Sequence, residues 1–168
     1  MSNDYGFSAR FYEILGLLRR NQLLTDLLDE GAAAYFGINR TDQRAIDAID
    51  QHGRITAGEL ARELRLSPGA VTTIVDRLER AGYARRVPDP EDRRRVLIEV
   101  TPIVAELSAR IYGTPEEGLA EQAGRWTEEE AEVLLRFQQV TQEWLEGRLD
   151  RVTKLNAERD SASPDSAS

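Results

Sequence analysis

The sequence predicts a mainly α-helical protein with one small β-hairpin. Two observations lead to this fold class. Apolar residues recur at helical spacing through most of the 168 residues, and Ser or Thr caps precede several of these runs. Residues 84–100 differ, because short alternating apolar runs flank a turn-rich loop, which is the pattern of a hairpin.

The first two helices are expected before Gly53. An apolar stripe at helical spacing predicts the first helix over about residues 7–28. The stripe consists of Phe7, Phe11, Ile14, Leu15, Leu18, Leu24 and Leu28. Gly31 and Gly37 are expected to break the chain, and Thr41 is expected to cap a second helix that Gly53 ends.

Two short helices with clear start signals follow. Thr56 and Glu59 have the spacing of a capping box, which predicts a helix over about residues 57–65. After a tight turn, Ser67 is expected to cap the next helix, which ends at Gly82.

The hairpin and the remaining helices complete the predicted fold. Residues 84–87 and 95–100 are expected to be strands on either side of the polar loop. Thr101 opens a further helix, and a capping box at Thr127 starts a long one. The polar tail, residues 157–168, is expected to be disordered.

Two short helices followed by a hairpin constitute a winged helix-turn-helix. We therefore expect a DNA-binding domain over residues 41–100, with the second short helix as recognition helix and the hairpin as wing. Residues 1–40 and 101–156 are expected to form a helical dimerisation region, because they carry more apolar surface than a small domain covers.

The distribution of charge agrees with a nucleic-acid partner, although the net charge is −8. Residues 54–95 hold ten arginines and seven acidic residues, a net charge of +3, and the remaining segments therefore carry −11. A locally basic module keeps the favourable release of counterions from DNA.

Composition excludes several other classes of protein. The chain has no cysteine, so disulfides, thiolate metal sites and cysteine redox sensing are excluded. Its single histidine, His52, removes most metal sites and most catalytic triads. Because no phosphate-binding loop is present either, we expect neither an enzyme nor a cofactor. No stretch approaches the ~20 apolar residues of a membrane span, so we expect a cytoplasmic protein without a membrane partner.

The predicted recognition helix carries the first group of candidate DNA contacts. Its apolar stripe must face the preceding helix, which leaves the opposite face for DNA. The candidates on that face are Ser67, Gly69, Ala70, Thr72, Thr73 and Arg77. The threonines are expected to donate to base edges or phosphates, and Arg77 to contact phosphate or guanine. Thr56, at the start of the preceding helix, is expected to contact a phosphate.

The wing carries the second group, Arg93, Arg94 and Arg95, at the place where a neighbouring minor groove is expected. Asp92 lies two residues before Arg94 and is expected to hold its guanidinium in a fixed direction. Arg93 and Arg95 are then candidates for phosphate contacts.

The central part of the chain resembles the winged-helix core of MarR-family transcription regulators. The resemblance rests on the run ITAGELARELRLSPGAVTTIVDRLERAGYARRVPDPEDRRRVLIEVTP and is specific across about residues 41–102. It implies a homodimer that binds double-stranded DNA at a pseudo-palindromic operator, commonly as a repressor. It also implies that Arg94, beside Asp92, enters the minor groove.

The resemblance also suggests a small aromatic or anionic effector, bound between the dimerisation helices and the DNA-binding lobe. Candidate pocket residues are Phe11, Tyr12, His52 and Trp126, since aromatic side chains with polar tips can line an apolar pocket and orient a ligand. For each of them, packing or simple surface exposure is the stronger alternative explanation.

One alternative function is a winged helix that serves as a protein-interaction module without sequence-specific DNA binding. The wing argues against it, because such a module does not need three arginines beside a threonine-lined helix.

Overall fold

The structure is a computed structural model that describes residues 8–113 and 124–161. The chain divides into two compact units, Met1–Gly113 and Thr114–Ser168. The described part of the first unit consists of five helices and a small antiparallel sheet of three strands. The described part of the second unit is one long helix with a short turn before it.

The helices are α1 (Ala9–Phe36), α2 (Arg40–His52), α3 (Ala57–Leu64), α4 (Pro68–Ala81), α5 (Pro102–Tyr112) and α6 (Glu128–Ser161). The strands are β1 (Ile55–Thr56), β2 (Ala84–Pro88) and β3 (Val96–Val100). The predicted class, mainly helical with a small hairpin wing, is confirmed.

The predicted start signals of the two short helices are present. The Thr56 N–H donates to Glu59 Oε2 at 2.9 Å, and the Glu59 N–H donates to the Thr56 hydroxyl at 3.2 Å, which completes the capping box of α3. Ser67 Oγ accepts the Ala70 N–H at 3.3 Å. Gly82 ends α4 in the left-handed conformation with φ of 79°. Signals of this kind involve only near neighbours in sequence, so they were found without the fold.

The break predicted at Gly31 is wrong. α1 continues through Gly31 and ends at Gly37, which adopts the left-handed conformation. An isolated glycine costs a helix only about 1 kcal/mol relative to alanine, and the neighbouring Ala32 and Ala33 are buried. Packing of this part of the helix therefore outweighs the local preference. Phe7, at the start of the predicted stripe, lies outside the described residues.

The cap of α2 is also different from the predicted one. Asn39 Oδ1 accepts the Asp42 N–H at 2.9 Å, and the Asn39 backbone is extended, as a capping residue requires. Thr41 already lies inside the first turn. The helix ends at Gly53 as predicted.

The sheet has the strand order β1-β3-β2, and both pairs are antiparallel. Ile55 of β1 faces Ile98 of β3, and Arg85 of β2 faces Glu99 of β3. Sequence did not predict β1, because two residues are too few for an alternating pattern to be visible. Its pairing attaches the middle of β3 to the chain just before α3.

Each described helix and strand of the first unit contributes at least one buried side chain to its core. The buried side chains include Ile49, Leu60, Val71, Leu78 and Ile98. Because Val71 and Leu78 lie on the same stripe of α4, their burial turns the opposite face of this helix to solvent.

The long helix α6 begins where predicted but ends later. The Thr127 N–H donates to Glu130 Oε2 at 2.9 Å, and the Glu130 N–H donates to Thr127 Oγ1 at 3.3 Å, so the capping box is present. The helix runs through Ser161, and the predicted start of the disordered tail at Ala157 is therefore too early. Alanine, glutamate and arginine there are good helix formers that extend the existing helix. Residues 162–168 lie outside the described residues.

Tyr83 fastens the end of α1 to the start of the wing. Its hydroxyl donates to the Phe36 carbonyl at 2.8 Å, and the two rings meet edge to face with centroids 5.4 Å apart. The Thr101 N–H donates to the Tyr83 carbonyl at 2.9 Å. The ends of α1, α4 and β3 therefore meet at this tyrosine.

Tyr83→Phe removes only the hydroxyl of this junction. We expect it to lower the free energy of unfolding by about 1 kcal/mol, because the Phe36 carbonyl loses a donor. Urea unfolding at a fixed protein concentration measures the change. The matched control is Tyr35→Phe, since Tyr35 is exposed, and we expect it to change stability by less than about 0.5 kcal/mol. Equal effects of the two variants would contradict this role of Tyr83.

Candidate nucleic-acid interface

The solvent face of α4 consists of small side chains near the start of the helix. Ser67, Gly69, Thr72 and Thr73 are exposed, and Ala70 is half-buried. Small side chains let a helix approach the floor of a major groove, because no bulk holds the backbone away. The structure thus places these candidates on one surface, and their contact with DNA stays a prediction.

Both threonine hydroxyls are turned back onto the helix. Thr72 Oγ1 donates to the Pro68 carbonyl at 3.0 Å, and Thr73 Oγ1 donates to the Gly69 carbonyl at 3.1 Å. A hydroxyl has one hydrogen, so in this arrangement Thr72 and Thr73 donate to their own helix, and their donation to DNA stays a prediction. Each keeps acceptor lone pairs and a methyl group, which suit base amino groups and thymine methyl groups.

A carboxylate of α2 holds Arg77. The Arg77 Nε donates to Asp42 Oδ2 at 3.0 Å, and the Arg77 Nη2 donates to Asp42 Oδ1 at 2.5 Å. The Asp42 side chain is 4% exposed and the Arg77 side chain 38%. The hydrogen bonds to Asp42 raise the pKa of Arg77, so the guanidinium stays charged. The predicted DNA contact of Arg77 is therefore restricted to the part of the guanidinium that Asp42 leaves open.

Two aspartates shape the tip of the wing. Asp89 Oδ1 accepts the N–H groups of Glu91 at 2.8 Å and of Asp92 at 3.3 Å, which fixes the turn. Asp92 Oδ1 accepts the Arg94 N–H at 3.0 Å and its Nε at 3.2 Å. These bonds, the backbone one first, lower the pKa of Asp92. The predicted pair between Asp92 and Arg94 is thus present, and Arg93 is exposed beside it.

Other arginines join the wing to the helices. Arg95 Nη2 lies 3.6 Å from Glu59 Oε1 in the first turn of α3, and Arg95 Nε lies 3.7 Å from Asp89 Oδ2. Arg86 Nη2 donates to Asp76 Oδ1 of α4 at 2.8 Å. Arg95 therefore braces the wing, and its phosphate contact stays a prediction.

Thr56 has no donor left for a phosphate in this arrangement. Its N–H and its hydroxyl both donate to Glu59 Oε2, at 2.9 Å and 2.6 Å. The hydroxyl bond first, and then the N–H bond, lower the pKa of Glu59, so a charged carboxylate is fixed beside this position. A phosphate here would bind the open N–H groups of the first turn of α3. The contact by Thr56 itself stays a prediction.

A charged cluster on the sheet was not found from sequence. Glu99 is buried and accepts hydrogen bonds from Arg85 Nε at 2.7 Å and from Arg54 Nε at 2.6 Å. Arg85 first, and then Arg54, lower the pKa of Glu99. A predicted hairpin register could have found Arg85, which faces Glu99 across the strands. Arg54 lies 45 residues away in sequence, so only the fold brings it there.

The four candidate pocket residues are divided between the two units, and each is described within its own unit. Phe11 is half-buried and Tyr12 is exposed near the start of α1. His52 ends α2, with its Nε2 3.8 Å from Glu63 Oε2. Trp126 is exposed and belongs to the second unit. A groove along α6 is lined by Gln138, Thr141, Gln142, Leu145, Glu146 and Leu149, and none of the four is among them. The effector pocket stays a prediction.

None of the helices in residues 8–113 and 124–161 combines the length and the apolar content needed to cross a membrane. Within the same ranges, no cluster of three or more His, Asp or Glu side chains is arranged to hold a metal ion.

Comparison with known proteins identifies the family. A family model described as the MarR family matches residues 36–95, from the end of α1 to the loop of the wing just before β3. An HTH-type transcriptional regulator of Bacillus subtilis, YcgE, is 35% identical over 136 residues, which cover 81% of this chain and 88% of that protein. The multiple antibiotic resistance protein MarR of Salmonella typhimurium is 31% identical over 115 residues, 67% of this chain and 80% of that protein. The chain belongs to the MarR family.

Solved structures agree with this MarR-family assignment. FabT of Streptococcus pneumoniae, in a crystal structure with DNA, has a TM-score of 0.55 and 26% identity, covering 82% of this chain and 96% of FabT. The transcriptional regulator Tm0710 of Thermotoga maritima has a TM-score of 0.56 and 23% identity, covering 83% and 98%, and shares the fold. The protein is a MarR-family transcription regulator with the winged helix-turn-helix that its sequence predicted.

Glu99→Gln tests the charged cluster of this MarR-family protein. Because the pKa of Glu99 is lowered in the folded state, its charge stabilises the fold above the usual carboxyl pKa, and this stabilisation is lost as pH falls through the lowered value. We expect the variant to be about 1–2 kcal/mol less stable at neutral pH. The difference should shrink as the pH falls below the usual pKa of a glutamate, because both variants then carry an uncharged side chain at this position.

Urea unfolding across this pH range measures the difference from wild type. Glu91→Gln is the control, because Glu91 is an exposed carboxylate of the wing, and we expect a small difference at every pH. A loss of stability in Glu99→Gln that stays constant from neutral to acid pH would contradict the role given to the Glu99 charge.

Proposed function

We propose that this MarR-family transcription regulator binds a pseudo-palindromic operator in double-stranded DNA as a homodimer. α4 of each protomer enters a major groove, and the two grooves are about 34 Å apart. The wing of each protomer follows the DNA to the adjacent minor groove. A dimer seated on an operator excludes other proteins from that DNA, so repression is the direct consequence. The protein then works in the cytoplasm, without catalysis.

The exposed and fixed arginine at the wing tip carries this proposal. The Arg94 side chain is 92% exposed, while Asp92 holds both its N–H and its Nε. A pair this exposed contributes little to stability, so its value lies in binding. An arginine that is ordered beforehand loses less side-chain entropy when it enters a groove. A narrow minor groove concentrates the negative potential that attracts it.

Three further observations support DNA as the partner. The start of α4 exposes a run of small side chains, which fits a helix that must approach base edges. FabT, which shares the fold at 26% identity, is described in complex with DNA. Arg86 and Arg95 fasten the wing to α4 and α3, so the helix and the wing are held for a common ligand.

Exposed apolar side chains support the homodimer. Leu17 and Leu27 of α1 and Val140 and Trp144 of α6 are each more than half exposed. A soluble monomer rarely leaves large apolar patches in water. A second copy of the chain that covers these faces removes them from solvent and sets the spacing of the two recognition helices.

An aromatic or anionic effector completes the proposal as a source of regulation. Such a ligand acts by binding more tightly to one spacing of the two α4 helices than to another, and its effect equals that difference in affinity. Phe11, Tyr12, His52 and Trp126 stay the candidates for its contacts.

Arg94→Ala is expected to weaken binding to every operator. It is also expected to lower the slope of log affinity against log salt concentration by about one, because the protein then neutralises one phosphate fewer and one fewer counterion is released from the DNA. The probe is a labelled duplex that the wild-type protein selects from a random-sequence pool. Fluorescence anisotropy titrations at several salt concentrations measure affinity and slope together.

The control for this prediction is Arg136→Ala, which removes the same charge from an exposed position of α6. We expect its salt slope to equal that of wild type. Wild-type affinity in Arg94→Ala would contradict the minor-groove contact.

Val140→Glu is expected to shift the protein from dimer toward monomer, because a carboxylate buried in an apolar interface has no partner there. Sedimentation at micromolar concentration measures the state of association. Gln139→Glu adds the same charge at the neighbouring exposed position of α6 and is expected to leave the dimer intact. A wild-type protein that sediments as a monomer would contradict the homodimer.

A further inference from the structure

The ion pair of Asp42 and Arg77 joins two parts of the first unit with different tasks. Asp42 lies in the first turn of α2, just after the α1–α2 connection, and Arg77 lies in the third turn of α4. The two residues are 35 positions apart in sequence. A contact of this kind couples the recognition helix to the end of α1, and neither the family match nor the sequence pattern assigns it a role.

The carboxylate of Asp42 is itself fixed in position. Asn39 Nδ2 donates to Asp42 Oδ2 at 3.0 Å, and the Asp42 N–H donates to Asn39 Oδ1 at 2.9 Å. With the two bonds from Arg77, the carboxylate accepts three hydrogen bonds. An ion pair buried on one side gains little stability over an apolar pair of the same size, because both charges lose water. We therefore look for a role of the Asp42–Arg77 pair other than stabilising the fold.

The geometry shows what Asp42 leaves open on Arg77. The carboxylate occupies the edge of the guanidinium formed by Nε and Nη2. The far edge, formed by Nη1 and the second hydrogen of Nη2, remains for another acceptor. Because the guanidinium is planar, a grip on one edge fixes the direction in which the far edge points.

The position of Arg77 along α4 favours a phosphate as this acceptor. At 1.5 Å per residue, Arg77 lies about 13 Å along the helix axis from Pro68. The first residues of a recognition helix contact the bases, so a residue this far along lies over the rim of the groove, where the phosphates are.

We propose that Asp42 is a positioning residue, which holds Arg77 so that its far edge contacts a DNA phosphate. This inference rests on the proposed function, since it requires that α4 binds DNA. In this role the Asp42 carboxylate favours DNA binding, although it is negatively charged and lies near the interface.

The sign of this effect distinguishes positioning from simple electrostatics. Removal of an acidic residue near a DNA-binding surface normally strengthens binding, because the local charge becomes more positive. If Asp42 acts by holding Arg77, its neutralisation weakens binding instead, because Arg77 must be ordered anew in each binding event.

The experiment compares Asp42→Asn with Asp50→Asn, which removes the same charge from an exposed position of α2. Each variant is titrated with two labelled duplexes, one selected by the wild-type protein from a random-sequence pool and one with the same bases scrambled. We expect Asp42→Asn to lower the affinity of the protein for both duplexes by about two- to tenfold, which corresponds to the cost of ordering one long side chain. Asp50→Asn should bind both at least as tightly as wild type.

A second comparison shows whether Asp42 acts through Arg77. In the Arg77→Ala background we expect Asp42→Asn to cause no further loss of affinity, since the group that it positions is gone. An equal loss in both backgrounds would mean that Asp42 acts through the fold, which overturns the proposal.

Arg77→Lys covers the case in which Asp42→Asn does not fold, which thermal unfolding detects. It keeps the charge but loses the planar two-bond grip. We expect a similar loss of affinity for both duplexes, with the salt slope of wild type, and an unchanged affinity overturns the proposal.

The remaining outcomes separate this inference from the proposed function. Wild-type or tighter binding by Asp42→Asn overturns the positioning role. A loss confined to the selected duplex overturns the phosphate contact, because it places Arg77 on a base. A wild-type protein that binds the selected and scrambled duplexes equally contradicts the proposed operator recognition itself.

Discussion

The burial of one apolar stripe of α4 is the constraint on which the first unit depends. Val71, Ile74, Val75 and Leu78 are buried in the core beside residues of α2, α3 and β3. With this stripe inside, the small residues at the start of α4 are turned to solvent. The same core includes Ile98 of β3, which fixes the wing relative to the helix. The burial of this one stripe therefore positions both candidate contact surfaces, the exposed face of α4 and the wing.

Sequence predicted those parts of the fold and the site that depend on near neighbours. The capping boxes, the end of α4 at Gly82 and the pair of Asp92 with Arg94 each involve residues within four positions of one another. Sequence could not predict whether Thr41 or Asn39 caps α2, because both are good capping residues and the start of α2 depends on where α1 ends. The continuation of α1 through Gly31 likewise depends on packing that no local pattern reveals.

Long-range charge pairs were the larger omission. Asp42 and Arg77 are 35 residues apart, and Arg54 and Glu99 are 45 apart, so each pair exists only in the folded chain. These pairs also change the meaning of the charge count. Many arginines of the central segment are braces with a carboxylate partner, and the net charge of +3 for residues 54–95 does not show which cations are open to a ligand. Arg94 stands out because its own partner orients it while leaving it in water.

The hydroxyl groups of Thr72 and Thr73 donate to carbonyls of their own helix. This limits the groups that α4 can offer to a ligand. What these side chains offer outward is an acceptor oxygen and a methyl group, and a methyl group is sensitive to the shape of a base edge. 5-Methylcytosine presents its methyl group in the major groove at the position where thymine presents its own. A helix that recognises bases in this way treats a methylated cytosine partly as a thymine. Covalent marking of the DNA would then alter the affinity of such a protein without any change in the protein itself.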